Sequence, residues 1–121
     1  MSVYTPAQVA DETGFSIDTL RYYERIGLLE PVSRTASGRR RFSEDDVAWL
    51  GWLRCLRDTG MPIADMLRFA ELARGDDSTI PERVALLEAH ERRVEEHIAD
   101  LRAKRSRIRD KIAYYRSLGP A

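Results

Sequence analysis

The chain has 121 residues, with 20 basic and 20 acidic side chains and a net charge of zero, so bulk charge advertises no particular partner. A single cysteine excludes an internal disulfide, an iron–sulfur centre and any multi-thiolate metal site within one chain. No apolar run approaches a membrane span and the N-terminus carries no basic, hydrophobic signal segment, so a cytoplasmic protein without a membrane partner is expected.

The first predicted helix starts at Thr5-Pro6, a capping hydroxyl followed by proline at the first helical position. Val9 and Ala10 supply its apolar side and Gly14 ends it. Ser16 caps a second helix that puts Ile17 and Leu20, three apart, toward the core and stops at Gly27. Thr5 to Gly27 is therefore expected to be a helix-turn-helix. A loop comes next, with Arg34, Arg39, Arg40 and Arg41 around Gly38. From Ser16 to Phe42 six arginines face only Asp18, Glu24 and Glu30. Net charge is zero, but its distribution is not even.

The second helix carries Thr19, Arg21, Tyr22, Tyr23 and Arg25, side chains that reach phosphates and base edges. A short helix beside a basic hairpin is how a winged helix-turn-helix holds duplex DNA. Of the tyrosine pair, one is expected to pack inward beside Leu20 and the other to offer its hydroxyl to phosphate. Three consecutive arginines beside a glycine turn are harder to read as plain solvated surface than one would be.

Ser43-Glu44-Asp45-Asp46 resembles a capping box, with acids where the helix dipole favours them. The third helix runs to about Thr59 through Val47, Leu50, Leu53 and Leu56, and Gly60 closes it. Pro62 opens a fourth through Ile63, Met66, Leu67, Ala70 and Leu72, closed near Gly75. Asp76-Asp77-Ser78 reads as a polar joint, and Thr79 with Glu82 as the cap of a last, long helix. The division expected is residues 1–75 for the DNA-binding part with its linking helices and 76–121 for a dimerisation helix.

That last helix alternates steps of four and three through Ile80, Val84, Leu87, Glu91, Val94, Ile98, Leu101, Arg105, Ile108, Ile112 and Tyr115. This is a heptad seam interrupted only by Glu91 and Arg105. Too little chain remains to cover it, so a homodimer through a two-stranded coiled coil is expected, with Ile80, Val84, Leu87, Val94, Ile98, Leu101, Ile108, Ile112 and Tyr115 in the interface. Flanking charges favour an antiparallel pair. A parallel one sets Lys104 against Arg109′ and Lys111 against Arg116′. An antiparallel one centred near Asp100 sets Glu95 against Arg102′, Glu88 against Arg109′ and Ile98 against Leu101′. His90 and His97, seven apart, are too distant for one helix to chelate with both and read as solvated imidazoles. No metal site, cofactor or enzymatic constellation is expected: there is no Ser/His/Asp grouping and no phosphate-binding glycine loop.

The run TLRYYERIGLL from Thr19 to Leu29, with Gly38, Arg40 and Phe42 after it as G-x-R-x-F, resembles the signature of the MerR transcriptional regulators. The resemblance runs from about Tyr4 into the C-terminal coil. The chain departs from it at Arg39, where the family usually places an aromatic residue. The resemblance implies a mainly α fold: a winged helix-turn-helix followed by a long helix forming an antiparallel dimeric coiled coil. It also implies DNA contacts from Tyr22, Tyr23 and Arg25, with Arg40 supporting the wing. The function implied is binding a promoter with an overlong spacer and distorting it so that RNA polymerase can read both elements. The segment around Cys55, CLRDTGMPI, resembles a subgroup that responds to aldehydes and nitrosative or thiol stress, in which a lone cysteine here is the proposed sensor. A lone cysteine on an amphipathic helix is otherwise a small buried hydrophobe, although Arg54 and Arg57 nearby could favour thiolate. The chain stops soon after the coil, so a separate effector domain is not expected. The alternatives are an architectural or excisionase-like DNA-binding protein without an effector, a regulator with a non-covalent small-molecule effector, and an interaction module built on the coil.

Overall fold

A computed structural model of the chain describes residues 3–120. It is mainly helical. Strand β1 (Val3–Tyr4) precedes α1 (Pro6–Thr13) and α2 (Ile17–Ile26); β2 (Ser33–Arg34) and β3 (Arg40–Ser43) form the hairpin; α3 (Glu44–Asp58), α4 (Ile63–Ala73), a single 3₁₀ turn (Asp77–Thr79) and α5 (Ile80–Leu118) complete the chain. The sheet is ordered β1-β3-β2, all antiparallel, with Tyr4 opposite Phe42 and Arg34 opposite Arg40.

The helix starts are decided locally. Thr5 accepts from the Gln8 amide while the Gln8 side chain accepts from Thr5, a complete capping box. Ser16 caps α2 through the Thr19 amide, and Ser43 and Asp46 form a second box on α3. Gly14 closes α1 at φ +78, where a Cβ would stand 2.6 Å from an Arg54 guanidinium nitrogen. Conformation favours glycine there, and a Cβ would also have to displace the end of the Arg54 side chain.

The packing divides the chain into two compact units, one ending at Arg83 and the other starting at Val84. The first has its own core. Val9, Phe15, Leu20, Tyr23, Leu28, Leu29, Phe42, Leu50, Leu53, Leu56, Met66 and Ala70 are all buried. Trp49 donates its indole N–H to the Leu28 carbonyl at 2.9 Å and stacks on Phe69. The expected apolar stripes are present on α3 and α4, but two positions differ. Ile17 and Ile63 are exposed. Each is the first residue of its helix, where one turn has yet to form and three-residue spacing does not fix a face.

The first unit extends past the joint at 76–78, where composition places the boundary. Asp76 caps the 3₁₀ turn that precedes α5: its carboxylate accepts from the Ser78 hydroxyl and the Ser78 amide, which hold it below the usual carboxylate range. Thr79 donates to the Leu72 carbonyl at 2.7 Å. The Arg83 guanidinium donates to the carbonyls of Leu72, Gly75 and Asp76. These carbonyls belong to the last turn of α4 and the joint that follows it. Arg68 on α4 adds an ion pair to Glu82 at 2.8 Å. The first turn of α5 thus belongs with α4.

The second unit is the rest of α5. A helix of 39 residues is about 60 Å long at 1.5 Å per residue. Val84, Ile98, Leu101, Ile108, Ile112 and Tyr115 are exposed along it. His97 is exposed as expected, whereas His90 is buried, with 6% of its surface accessible, and so is not the solvated imidazole that its position beside the seam suggests. Among the described residues no helix is long and apolar enough to cross a membrane.

Candidate nucleic-acid interface

The second helix of the helix-turn-helix and the hairpin share one groove. Ile17, Leu20, Arg21, Arg34, Gly38, Arg39, Arg40 and Phe42 line it, with Pro6 at one end, around a volume of about 480 Å3. Its floor is apolar and its rim carries four arginines.

The tyrosine pair divides as expected in its packing. Tyr23 is buried and meets Phe15 edge-on at 5.2 Å between ring centres. Burial raises the Tyr23 hydroxyl above its ordinary value, against the opposing pull of Arg57. Tyr22 is 40% exposed, with the Arg25 guanidinium over its ring at 5.3 Å. Arg21, Tyr22 and Arg25 are thus presented on the surface of α2, with Arg21 held only loosely by Asp18 at 3.9 Å. Thr19 is half-buried; its amide and hydroxyl both meet the Ser16 hydroxyl, so it works first as part of the helix cap.

The hairpin turn is held by Thr35. Its amide donates to the Arg39 carbonyl at 2.7 Å, its hydroxyl accepts from the Arg39 amide, and Gly38 turns the chain at φ +85. Arg39 and Arg41 emerge exposed. Phe42 is buried, with Tyr4 opposite on β1.

Arg40 is placed differently from its two neighbours. Its Nε–H donates to Glu24 at 2.7 Å, and only 21% of its side chain is accessible. The same carboxylate accepts the Val32 amide at 2.9 Å and lies 3.6 Å from Arg34. Burial works to raise the Glu24 carboxyl, but the Val32 amide, Arg40 and Arg34 outweigh it and hold the group below its ordinary value. In the sequence Glu24 is only a charge to be counted. The contact joins α2 to β3 across 16 positions, and no periodicity reports such a pair.

Cys55 lies exposed on α3. It is not a buried hydrophobe within the subunit. Its sequence neighbours are engaged elsewhere: Arg54 forms an ion pair with Asp58 at 2.8 Å and donates to the Thr13 carbonyl, and Arg54 and Arg57 both stand over Phe15. A separate pocket of about 320 Å3 opens beside Trp49, between Leu29, Glu30, Asp45, Asp46, Ala70, Ala73 and Arg74.

Comparison with known proteins agrees with this geometry. The MerR HTH family regulatory protein pattern matches residues 4–71, and the MerR DNA-binding pattern matches residues 47–111. An uncharacterized HTH-type transcriptional regulator of Haemophilus influenzae is 42% identical over 112 residues, which cover 93% of this chain and 83% of that protein. The HTH-type transcriptional regulator AdhR of Bacillus subtilis is 40% identical over 81 residues, covering 67% of this chain and 58% of AdhR. Among solved structures, HiNmlR, a MerR family regulator lacking the sensor domain and bound to promoter DNA, is similar with a TM-score of 0.86 and 40% identity, over 96% of this chain and 92% of that one. A MerR family regulator from Bacillus thuringiensis has a TM-score of 0.83 and 35% identity, over 94% of this chain and all of that one. With both halves of its signature matched and its fold shared, the chain belongs to the MerR family of helix-turn-helix transcriptional regulators.

Proposed function

We propose that this chain binds promoter DNA as a homodimer, with α2 in the major groove and the β2–β3 hairpin on the adjacent backbone. The observation that carries the reading is that Arg21 of α2 and Arg39 of the hairpin line one apolar-floored groove, while Tyr22, Arg25 and Arg41 are exposed on the same two elements. The promoter-bound relative of similar fold supports it. Phosphate contacts would set register, and the exposed face of α2 would read base edges. Dimerisation would cover the exposed seam of α5 in an antiparallel coiled coil. Two modules on one dimer can hold a two-fold promoter site and deform an overlong spacer so that RNA polymerase engages both elements, at a deformation cost of a few kcal/mol.

The test is DNA affinity as a function of salt. Changing Arg39, Arg40 and Arg41 together to alanine should weaken binding to every sequence and flatten the salt dependence, because fewer counterions are released. An unchanged slope would show that the hairpin does not touch the backbone.

For the signal, Cys55 is the proposed sensor. An exposed thiol is open to an electrophile such as an aldehyde, and an adduct there would add bulk to α3, the helix that links the DNA-binding module to α4. A non-covalent effector is the second reading, favoured by the pocket beside Trp49, which offers an aromatic wall and carboxylates at its mouth.

A further inference from the structure

We infer that Glu24 decides which arginines of the hairpin are free to meet phosphate, and so sets the balance between specific and non-specific DNA binding. The inference rests on the DNA-binding reading above and concerns a residue that does not itself touch DNA.

Arg34 and Arg40 are direct cross-strand partners. Two like charges so placed repel each other. The Glu24 carboxylate sits with both, 2.7 Å from Arg40 and 3.6 Å from Arg34, and its own side chain is only 12% accessible. Arg34 is tied down a second time, donating to the Gly38 carbonyl at 3.0 Å. The guanidinium groups of Arg39 and Arg41 carry no ion pair among the described residues. Alternation along the strand turns Arg41 away from the face that Arg40 shares with Glu24, and Arg39, just before the strand, lines the groove beyond the carboxylate's reach. The hairpin thus holds four arginines of two kinds, two bound internally and two free.

For Arg40 to reach a phosphate it would have to leave a largely buried carboxylate short of its partner. One charge-assisted bond would be exchanged for another, and the cost of the stranded acid would remain. DNA therefore gains little by drawing Arg40 away. What Glu24 supplies instead is geometry. Its bond to the Val32 amide holds the segment entering the hairpin, and its bond to Arg40 holds the returning strand, both against α2. Phosphate contacts from the hairpin are thereby kept in register with base contacts from α2. Neutralising Glu24 would release two cations and loosen that register together. Binding to any duplex would strengthen, and discrimination would fall.

The experiment measures the full-length protein on a duplex carrying its own promoter and on a scrambled duplex of equal length, each across a salt series. Glu24→Gln keeps an acceptor for the Val32 amide but removes the charge. It should steepen the salt slope by about 0.9 for each arginine released and lower the ratio of promoter to scrambled affinity. Arg39→Gln should flatten the slope by about the same amount. Arg40→Gln should leave the slope near that of the unaltered protein while lowering the ratio, and it serves as the decisive variant should Glu24→Gln fail to fold. If Arg39→Gln leaves the slope unmoved, the hairpin reading itself fails. If Arg39→Gln behaves as expected but Arg40→Gln flattens the slope equally, or Glu24→Gln shifts neither slope nor ratio, Glu24 has no such role.

Discussion

The unit up to Arg83 and the remainder of α5 dispose of their apolar side chains in opposite ways. In the first, Leu20, Leu50, Leu53 and Leu56 are all but inaccessible, and the polar groups around them find partners within the same unit. In the second, Leu101 is 52% exposed and Ile108 62%, on a helix with no other element in its unit to cover them. The same residue types at helical spacing therefore mean different things. A stripe that meets other helices of its own chain is a core. A stripe with a strict seven-residue repeat and no cover in its own unit is the surface that the proposed dimer would bury.

The largest effect should separate the two at once. Leu53→Ala opens a cavity in the first unit and should cost about 2–5 kcal/mol, seen as a lower thermal midpoint at every protein concentration. Leu101→Glu should leave that unit folded but abolish the dimer, read by sedimentation as a halved mass. If Leu101→Glu leaves the mass unchanged, the seam does not carry dimerisation.

A finer test addresses direction. Glu95→Arg should weaken the dimer by tenths of a kcal/mol for each exposed pair, and adding Arg102→Glu should restore part of the loss by matching signs again. A double variant no tighter than the single one would refute the antiparallel register centred near Asp100.

The smallest change in fold comes at Cys55. Because the thiol is exposed, Cys55→Ser should alter stability by less than about 0.5 kcal/mol and leave operator binding intact. Promoter output in cells given sub-lethal formaldehyde should nevertheless lose its response. A serine variant that still responds, or a Cys55 left unmodified by intact mass in the native dimer, points to the pocket beside Trp49 instead.

Much of this architecture is legible in the sequence because its signals are local. Thr5, Ser16 and Ser43 announce helix starts within three residues of themselves, and Gly14 and Gly27 mark stops by the left-handed backbone they adopt. The division of labour between Tyr22 and Tyr23 is legible as a split, and the structure assigns the inward role to Tyr23. The features that escape are non-local or too short. Strand β1 has two residues and so no period to read. Glu24 and Arg40 meet through the fold alone. Arg54 and Arg57, neighbours of Cys55 in sequence, also turn to Phe15 and Asp58, contacts that adjacency does not report.

The three carbonyls gathered by Arg83 have a practical consequence for dissecting the molecule. A fragment cut at Gly75, where composition changes, would discard the guanidinium that satisfies Leu72 and Gly75 and the threonine that doubles the bond to Leu72. The end of α4 would then fray, and with it Leu72 and Phe69, which belong to the core. In a longer fragment Arg83→Lys would restore only part of this, because a single ammonium lacks the planar fork that spans several acceptors. A minimal DNA-binding fragment should therefore include the first turn of the long helix, and its melting temperature should exceed that of the shorter piece.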